Sequence, residues 1–377
     1  MAPSRLRIPR LRLEPRGVPP IWLRLAFPVL ALAGAGCAGA VLLLLTGFSP
    51  WTVYSAAGDA AFGTSLAWQR TLVSSTPLIL TGLAAAVAFR MRIWNIGGEG
   101  QLYIGAIAAS GVALAVADGL PSVIAIAVVL GAGALGGAVW AGLAAAPRAR
   151  FGTDEVISTL MLNFIALFLM NYLIFGSEGF WRDKERLTYP TGRDIPESAV
   201  APELWGRLHI GFLVAVAVAV GLWILLRSTR WGYTVRLVGD STRAARYAGV
   251  RVPRRIASVL LLSGAAAGLA GAILIIGSLG SLEPRALAIN LGYTGIIVAA
   301  VARLNPLAVV PVAVAVGGIS SAGPALQTSG VPSELVLVLQ GLALLVVAAS
   351  ELLMSNRIRF APAAPAGAPS AAPAARR

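Results

Sequence analysis

The feature that most restricts the fold of this chain is a succession of long apolar runs that contain few or no charged residues. A run of about 20 apolar residues crosses about 30 Å of hydrocarbon as a helix. Inside lipid the backbone has to satisfy its own hydrogen bonds, so each run predicts a helix rather than a strand or loop. The runs lie near residues 25–45, 71–89, 102–117, 122–145, 156–175, 210–226, 256–279, 291–302, 307–322 and 335–353. The sequence therefore predicts an all-α polytopic membrane protein with about ten transmembrane helices.

Composition supports this prediction and narrows the chemistry. The 377 residues are 57% hydrophobic and only 12% charged, against about 25% charged in an average soluble protein. Cys37 is the one cysteine and His209 the one histidine, which argues against a disulfide framework and a clustered Cys/His metal site. The one lysine, Lys184, is not part of the Gly-Lys-Ser/Thr sequence of a phosphate-binding loop. We expect no catalytic residues, metal or cofactor in this chain. If the protein uses ATP, we expect the hydrolysis to take place on another chain.

Charge distribution predicts the orientation and the domain boundaries. The predicted cytoplasmic segments contain 23 of the 30 lysines and arginines when both termini are placed in the cytoplasm, as the positive-inside rule requires. The first run is expected to remain as an uncleaved span, since its apolar core is long for a signal peptide. The predicted organisation is a basic cytoplasmic arm (1–22), a transmembrane domain (23–355) with an extracytoplasmic loop (176–209) and a cytoplasmic loop (227–255), and a disordered Ala/Pro-rich tail (356–377).

The stretch 90–101 separates two apolar runs with polar residues and three glycines. This stretch would place Asn95, Glu99 and Gln101 in or near the membrane. Polar groups there are costly unless they face other protein groups, a cavity or the membrane surface. Arg90 or Arg92 could neutralise Glu99. Two interpretations remain open: an interhelical loop at the membrane surface, or a segment of a transport pathway with Glu99 bound to a neighbouring helix.

A second polar stretch lies in the fifth run, at Thr159 and Asn163. These residues are four apart and so share one helical face. An amide within a membrane helix either joins it to another helix or contacts a polar solute. The residue types alone do not choose between these roles.

A third stretch is the basic segment 239–250 between two runs. Ser241 and Thr242 resemble a helix start, and Gly249 is a natural helix end. The segment predicts a short helix on the cytoplasmic side that docks a partner, or alternatively a basic interfacial helix held by anionic lipid. The residues that we expect to take part are Asp240, Arg243, Arg246, Tyr247 and Gly249.

Three ordered motifs give these stretches a specific resemblance. They read Thr76-Pro77-Leu78-Ile79-Leu80-Thr81-Gly82-Leu83 with Asn95-Ile96-Gly97-Gly98-Glu99-Gly100-Gln101, then Asp154-Glu155-Val156-Ile157-Ser158-Thr159-Leu160-Met161-Leu162-Asn163, then Ala244-Ala245-Arg246-Tyr247-Ala248-Gly249-Val250. They resemble the nucleoside/simple-sugar branch of ABC importer permeases over roughly residues 70–350. One departure is Gly239-Asp240-Ser241-Thr242, where that branch would have Asn-Pro or a similar pair.

The resemblance implies a fold like that of the ribose and vitamin B12 permeases, in a bacterial plasma (inner) membrane. It implies ABC ATPase subunits on other chains, a second permease subunit that is usually a paralogue, and an extracytoplasmic solute-binding protein. The segment 239–250 would contact the ATPase, and Asn95, Glu99, Gln101, Thr159 and Asn163 would lie near the solute pathway. Two alternatives are an ion-coupled secondary transporter and a permease of the branched-chain amino acid branch. An intramembrane enzyme is disfavoured, because the spans hold no paired carboxylates.

Overall fold

A computed structural model describes residues 10–15, 21–176, 179–186, 190–328 and 356–361, together with short pieces between 330 and 349. The chain divides into two compact units. One comprises residues 1–41 and 341–377, and the other comprises residues 42–340.

The described part of the chain is mainly helical. Its α-helices are α1 (Ile21–Leu45), α2 (Pro50–Gly58), α3 (Ser65–Arg90), α4 (Gly98–Val116), α5 (Ser122–Phe151), α6 (Glu155–Asn171), α7 (Gly211–Ser228), α8 (Arg230–Asp240), α9 (Thr242–Tyr247), α10 (Val252–Leu274), α11 (Pro284–Leu287), α12 (Leu291–Val301) and α13 (Pro306–Thr328). Within the described residues, eight helical segments are long and apolar enough to cross a membrane. An all-α polytopic membrane protein is confirmed. The predicted first span coincides with α1, and the predicted tenth falls partly outside the described residues.

Helix α3 is the most buried membrane helix and packs against α10, α12 and α13. Two of its buried hydroxyl groups bond to carbonyls of the preceding turn: Thr76 Oγ1 donates to Leu72 O at 2.8 Å, and Thr81 Oγ1 donates to Pro77 O at 2.9 Å. Such bonds satisfy polar groups where water is absent. Pro77 lies within the helix. These threonines of α3 therefore lie inside the protein rather than against lipid.

Helices α4, α5 and α10 approach one another through glycines. A Cβ atom on Gly137 would lie 2.6 Å from Gly268 Cα, and one on Gly133 would lie 2.5 Å from Ala272 Cβ. Gly133 and Gly137 are the G-x-x-x-G pair of the fourth predicted span, and their spacing predicts close helix packing. The structure confirms that packing.

The eighth predicted span, 291–302, coincides with α12, and a break in the chain direction lies just before it. Helix α11 ends at Leu287, and α12 begins at Leu291 after Asn290, whose φ is +61°. Asparagine tolerates this left-handed conformation better than most residues. The break places the first turn of α12 beside the start of α4, because Gly292 closely approaches Glu99.

Residues 356–361, the described part of the predicted disordered tail 356–377, have regular structure. Residues Asn356–Ala361 form a strand, β4, which pairs antiparallel with β1, Arg10–Pro15. Both segments alternate apolar residues with arginine or other polar residues, which is a strand pattern. The overall Ala/Pro bias of the tail concealed this short alternation. Residues 362–377 lie outside the described residues.

The described part of the predicted extracytoplasmic loop 176–209 contains little regular structure. Two short strands, β2 (Glu203–Trp205) and β3 (Leu208–His209), form a hairpin before α7. Arg186 forms ion pairs with Asp183 at 3.2 Å and Asp194 at 3.0 Å. These contacts order part of the acidic loop without burying its charges.

Candidate functional site

The candidate site is built on the seven-residue linker between α3 and α4. The linker turns sharply after α3, where Arg92 has a φ of +56° and the amide of Ile93 returns to Ala88 O at 3.3 Å. Helix α4 then begins at Gly98, with the amide of Gln101 bonded to Gly97 O at 2.9 Å. The predicted polar residues thus lie on the linker and the first turn of α4.

Asn95 and Gln101 form a reciprocal pair of amide hydrogen bonds. Each side-chain NH₂ group donates to the oxygen of the other at 3.1 Å. Asn95 Nδ2 also donates to Ser263 Oγ of α10 at 2.8 Å, and Ser263 Oγ donates to Ala84 O of α3 at 2.7 Å. Both amides are buried. The pair therefore joins the linker to α4, α10 and α3 in one buried network.

Glu99 lies between α4 and α12 and is only 2% exposed. Its Oε1 accepts the Tyr103 hydroxyl proton at 2.5 Å, and its Oε2 accepts the amide proton of Gly292 at 2.5 Å. A carboxylate at the first turn of a helix is favoured by the helix dipole and by amides that lack intrahelical partners.

The predicted arginine partner of Glu99 is not found. Within the described residues, neither Arg90 nor Arg92 forms an ion pair with this carboxylate. The reason is the turn after α3, which leaves Arg92 exposed while Glu99 is buried among helices. Closeness in sequence suggested the arginines, whereas the folded chain supplies a tyrosine and a backbone amide.

Thr159 and Asn163 lie on one buried face of α6, as their spacing predicts. Asn163 Oδ1 accepts the amide proton of Gly100 at 2.9 Å, and its Nδ2 donates to Ile96 O at 2.9 Å and Tyr293 Oη at 3.0 Å. Thr159 Oγ1 donates to Glu155 O on its own helix at 2.7 Å. Asn163 therefore joins α6 to the linker, α4 and α12.

The structure thus brings the five predicted pathway residues together around the start of α4. It adds Tyr103, Ser263, Gly292 and Tyr293, which the sequence analysis did not single out. The polar residues within 290–294 could have indicated this part of the network, because they interrupt an apolar region. Ser263 lies in a Ser-Gly-Ala run that resembles ordinary helix packing, so nothing in its local sequence identified it.

A contact that is not part of this network also holds the linker in position. Glu155, at the start of α6, accepts the amide proton of Trp94 at 3.3 Å and forms an ion pair with Arg148 of α5 at 3.0 Å. The Glu155 side chain is 7% exposed and that of Arg148 is 31% exposed. The carboxylate therefore connects the α5–α6 junction with the linker that carries Asn95.

The predicted coupling segment forms a separate, exposed feature. Ser241 Oγ caps α9 by accepting the amide proton of Ala244 at 3.2 Å, and Gly249 has the positive φ of +75° expected of a helix end. Ala245 is buried, whereas the other side chains of the short helix are exposed. Tyr247 is 81% exposed.

The five predicted coupling residues, Asp240, Arg243, Arg246, Tyr247 and Gly249, all lie on this segment and are all exposed. They do not contact the buried network directly. Helix α8 instead links the two regions, since a Cβ atom on Gly239 would lie 3.1 Å from Met91 Cα of the linker. Within the described residues, no three metal-ligating side chains lie together.

The fold and the site define a multi-pass membrane protein whose buried polar network lies where membrane helices are interrupted, beside a short exposed helix. Residues 68–348 match the family described as "Branched-chain amino acid transport system / permease component". The chain belongs to this family of transporter permease components. Membership implies ABC ATPase and substrate-binding partners.

Similar proteins place the chain among the ABC transporter permeases of the nucleoside/sugar branch. It is 36% identical to the guanosine ABC transporter permease protein NupP of Bacillus subtilis, covering 86% of this chain and 93% of that protein. It is 32% identical to the glucose ABC transporter permease protein TsgB13 of Haloferax volcanii, covering 93% and 94%. It is 28% identical to the nucleoside ABC transporter permease protein NupB of Lactococcus lactis, covering 82% and 86%. Bacillus subtilis and Lactococcus lactis each contribute a second similar permease, NupQ and NupC, over 54% of the chain.

Proposed function

We propose that this chain is one permease subunit of an ATP-driven importer for nucleosides or a similar small sugar-like solute. The buried network of amides and hydroxyls at the start of α4 carries this proposal, together with relatives named for guanosine, nucleosides and glucose. Neutral polar solutes are bound by such groups rather than by fixed charges. Asn95, Glu99, Gln101, Thr159 and Asn163 line or control the pathway in this proposal.

The network acts as a closed gate. Asn163 is bonded to three segments at once: the linker, α4 and α12. A displacement of α6 away from α4 would break these bonds and expose the side-chain amide of Asn163 to a passing solute. The same groups therefore hold the gate closed in one state and offer hydrogen bonds to the solute in the other.

Helix α9 is the contact for the ATPase in this proposal. It presents Arg243, Arg246 and Tyr247 as exposed side chains, and Arg243 lies over the Tyr247 ring at 5.9 Å. ATP is bound and hydrolysed on the separate ATPase subunits. Their movement reaches the linker through α8, which closely approaches the end of α3 at Arg90.

The remaining assignments follow from the charge distribution and the relatives. Both termini lie in the cytoplasm of a bacterial cell, the loop 227–255 faces the ATPase, and the loop 176–209 faces the solute-binding protein. The second permease subunit is a paralogue, as the similarity to both NupP and NupQ of one species supports.

Reconstituted transport tests the solute pathway. Proteoliposomes containing this permease, its paralogue and the ATPase are supplied with the solute-binding protein and labelled guanosine or glucose. Asn163→Ala should lower ATP-dependent uptake by about tenfold or more, because three hydrogen bonds are lost. Asn171→Ala is the matched control, since the hydrogen bond of Asn171 among the described residues is to Leu167 O of its own helix. Uptake driven by an ion gradient without the ATPase would support a secondary transporter instead.

A second experiment tests the ATPase contact. Compared with the wild type, at least about tenfold less ATPase should co-purify with the double variant Arg246→Ala, Tyr247→Ala. The yield of the permease itself should be unchanged. Trp51→Ala removes an 82% exposed aromatic side chain from α2 and is the control. If the wild type, the double variant and Trp51→Ala all retained the same amount of ATPase, α9 would not be the docking element.

A further inference from the structure

A cavity of about 580 Å³ lies beside α9 and the linker after α3. Its walls come from the linker, the end of α5, helices α8 and α9, and the start of α10. Buried apolar side chains, including Ile93, Val238 and Val252, form part of its lining. Its charged lining residues are Arg92, Arg148, Arg150, Arg246 and Asp240.

The charges of this cavity are unbalanced. Arg148 is neutralised by Glu155 at 3.0 Å. Arg92, Arg150 and Arg246 are exposed, and no carboxylate in the described part of the chain lies within ion-pair distance of them. Four arginines thus surround the cavity with only Asp240 as an acidic lining residue. Such an excess of positive charge attracts an anionic group.

We propose that this cavity receives a carboxylate side chain of the ATPase subunit that docks on α9; the proposal rests on the function proposed above. Thr242 and Arg246 belong to α9 and also line the cavity. A protein that covers α9 therefore covers the cavity as well. The planar guanidinium groups of Arg92 and Arg150 bind the carboxylate by charge-assisted hydrogen bonds.

This contact would connect the ATPase to the buried network by a route separate from α9 itself. Arg92 and Ile93 of the cavity precede Trp94, whose amide is bonded to Glu155. Arg148, another lining residue, holds the second oxygen of Glu155. Asn95 of the network follows directly in the chain. The hydrogen bond between the Trp94 amide and Glu155 positions the linker. A carboxylate bound in the cavity would attract Arg92, close to Trp94, and Arg148, the partner of Glu155, and so would act on both partners of this bond.

Charge reversal tests the proposal in the assembled complex of permease pair and ATPase. The double variant Arg92→Glu, Arg150→Glu keeps α9 intact. It should retain about tenfold less ATPase than the wild type at low salt, and its retention should fall less steeply as salt is added. Arg70→Glu is the control, because Arg70 is exposed near the start of α3, at the opposite end of that helix from the linker, and does not line the cavity. An acidic-to-arginine change on the matching ATPase surface should restore retention to the double variant.

Each other outcome overturns the proposal in a distinct way. Unchanged retention, or an equal loss with Arg70→Glu, would show that the cavity is not a specific binding site. A lipid headgroup is tested in nanodiscs of phosphatidylcholine with and without phosphatidylglycerol. A double variant that binds less phosphatidylglycerol but retains the ATPase would assign the cavity to lipid. A wild-type permease that retains no ATPase would contradict the proposed function itself, whereas a selective result at the cavity would not.

Discussion

The carboxylate of Glu99 accepts the amide proton of Gly292 at 2.5 Å, although these residues are 193 positions apart in the chain. The other carboxylate oxygen accepts the Tyr103 hydroxyl proton at 2.5 Å. A side chain on Gly292 would overlap the backbone of Glu99, since a Cβ atom there would lie 2.7 Å from Glu99 Cα. Glu99, in the first turn of α4, therefore joins that helix to the first turn of α12.

Removing this acid should destabilise the protein strongly. Glu99→Ala leaves the Gly292 amide and the Tyr103 hydroxyl without their acceptor, at a cost of about 1–3 kcal/mol for each buried group. We expect a clear decrease in the melting temperature of the detergent-purified protein. Asp118→Ala is the control, because Asp118 is exposed at the other end of the same membrane segment. Similar melting temperatures for both variants would contradict the structural role of Glu99.

The three-helix contact through glycines gives a second prediction. Gly137→Ala places a methyl group 2.8 Å from Gly268 N and should cost about 1–3 kcal/mol through overpacking. Gly131 lies on the same helix, and a methyl group added there would have no neighbouring atom within 4 Å. Gly131→Ala should therefore be neutral or stabilise the helix by up to about 1 kcal/mol. Thermal unfolding of the two variants should give shifts of opposite sign or clearly different size.

Local sequence patterns predicted much of this architecture. The apolar runs located the membrane helices, the four-residue spacing placed Thr159 and Asn163 on one face, and Ser241 with Gly249 marked the bounds of α9. Each of these depends on residues close together in the chain. The partners of the network could not be predicted in this way. The bond from Asn95 to Ser263 depends on how α10 packs against the linker, which no local spacing encodes.

The ion pair between Arg148 and Glu155 should contribute measurably to stability. Glu155 has a 7% exposed side chain, so Arg148→Ala leaves a largely buried carboxylate with the Trp94 amide as its main partner. A double-mutant cycle with Glu155→Gln should give a coupling energy of about 1 kcal/mol or more. The more exposed pair Arg186–Asp194 should give a coupling energy near zero in the same assay. Equal coupling in the two pairs would show that burial of Glu155 does not strengthen its ion pair.

His209, the single histidine, lies buried before α7. Burial lowers its pKa below the ordinary value of 6.5. Its Nδ1 accepts the amide proton of Gly211 at 3.2 Å, so the neutral ring carries its proton on Nε2, at 3.4 Å from Ser278 Oγ. A second proton on Nδ1 would face the Gly211 amide, which also disfavours the charged form.

The stability of the folded protein should therefore decrease on acidification through the range where unfolded histidine gains its proton. Below pH 6.5 the unfolded state binds more protons at this residue than the folded state, so the free energy of unfolding falls by up to about 1.4 kcal/mol per pH unit. Above this range the histidine is neutral in both states and contributes no pH dependence. His209→Gln removes the titrating group. The decrease in melting temperature between pH 7.5 and pH 5.5 should be smaller for this variant than for the wild type, and equal decreases would show that His209 does not control the acid response.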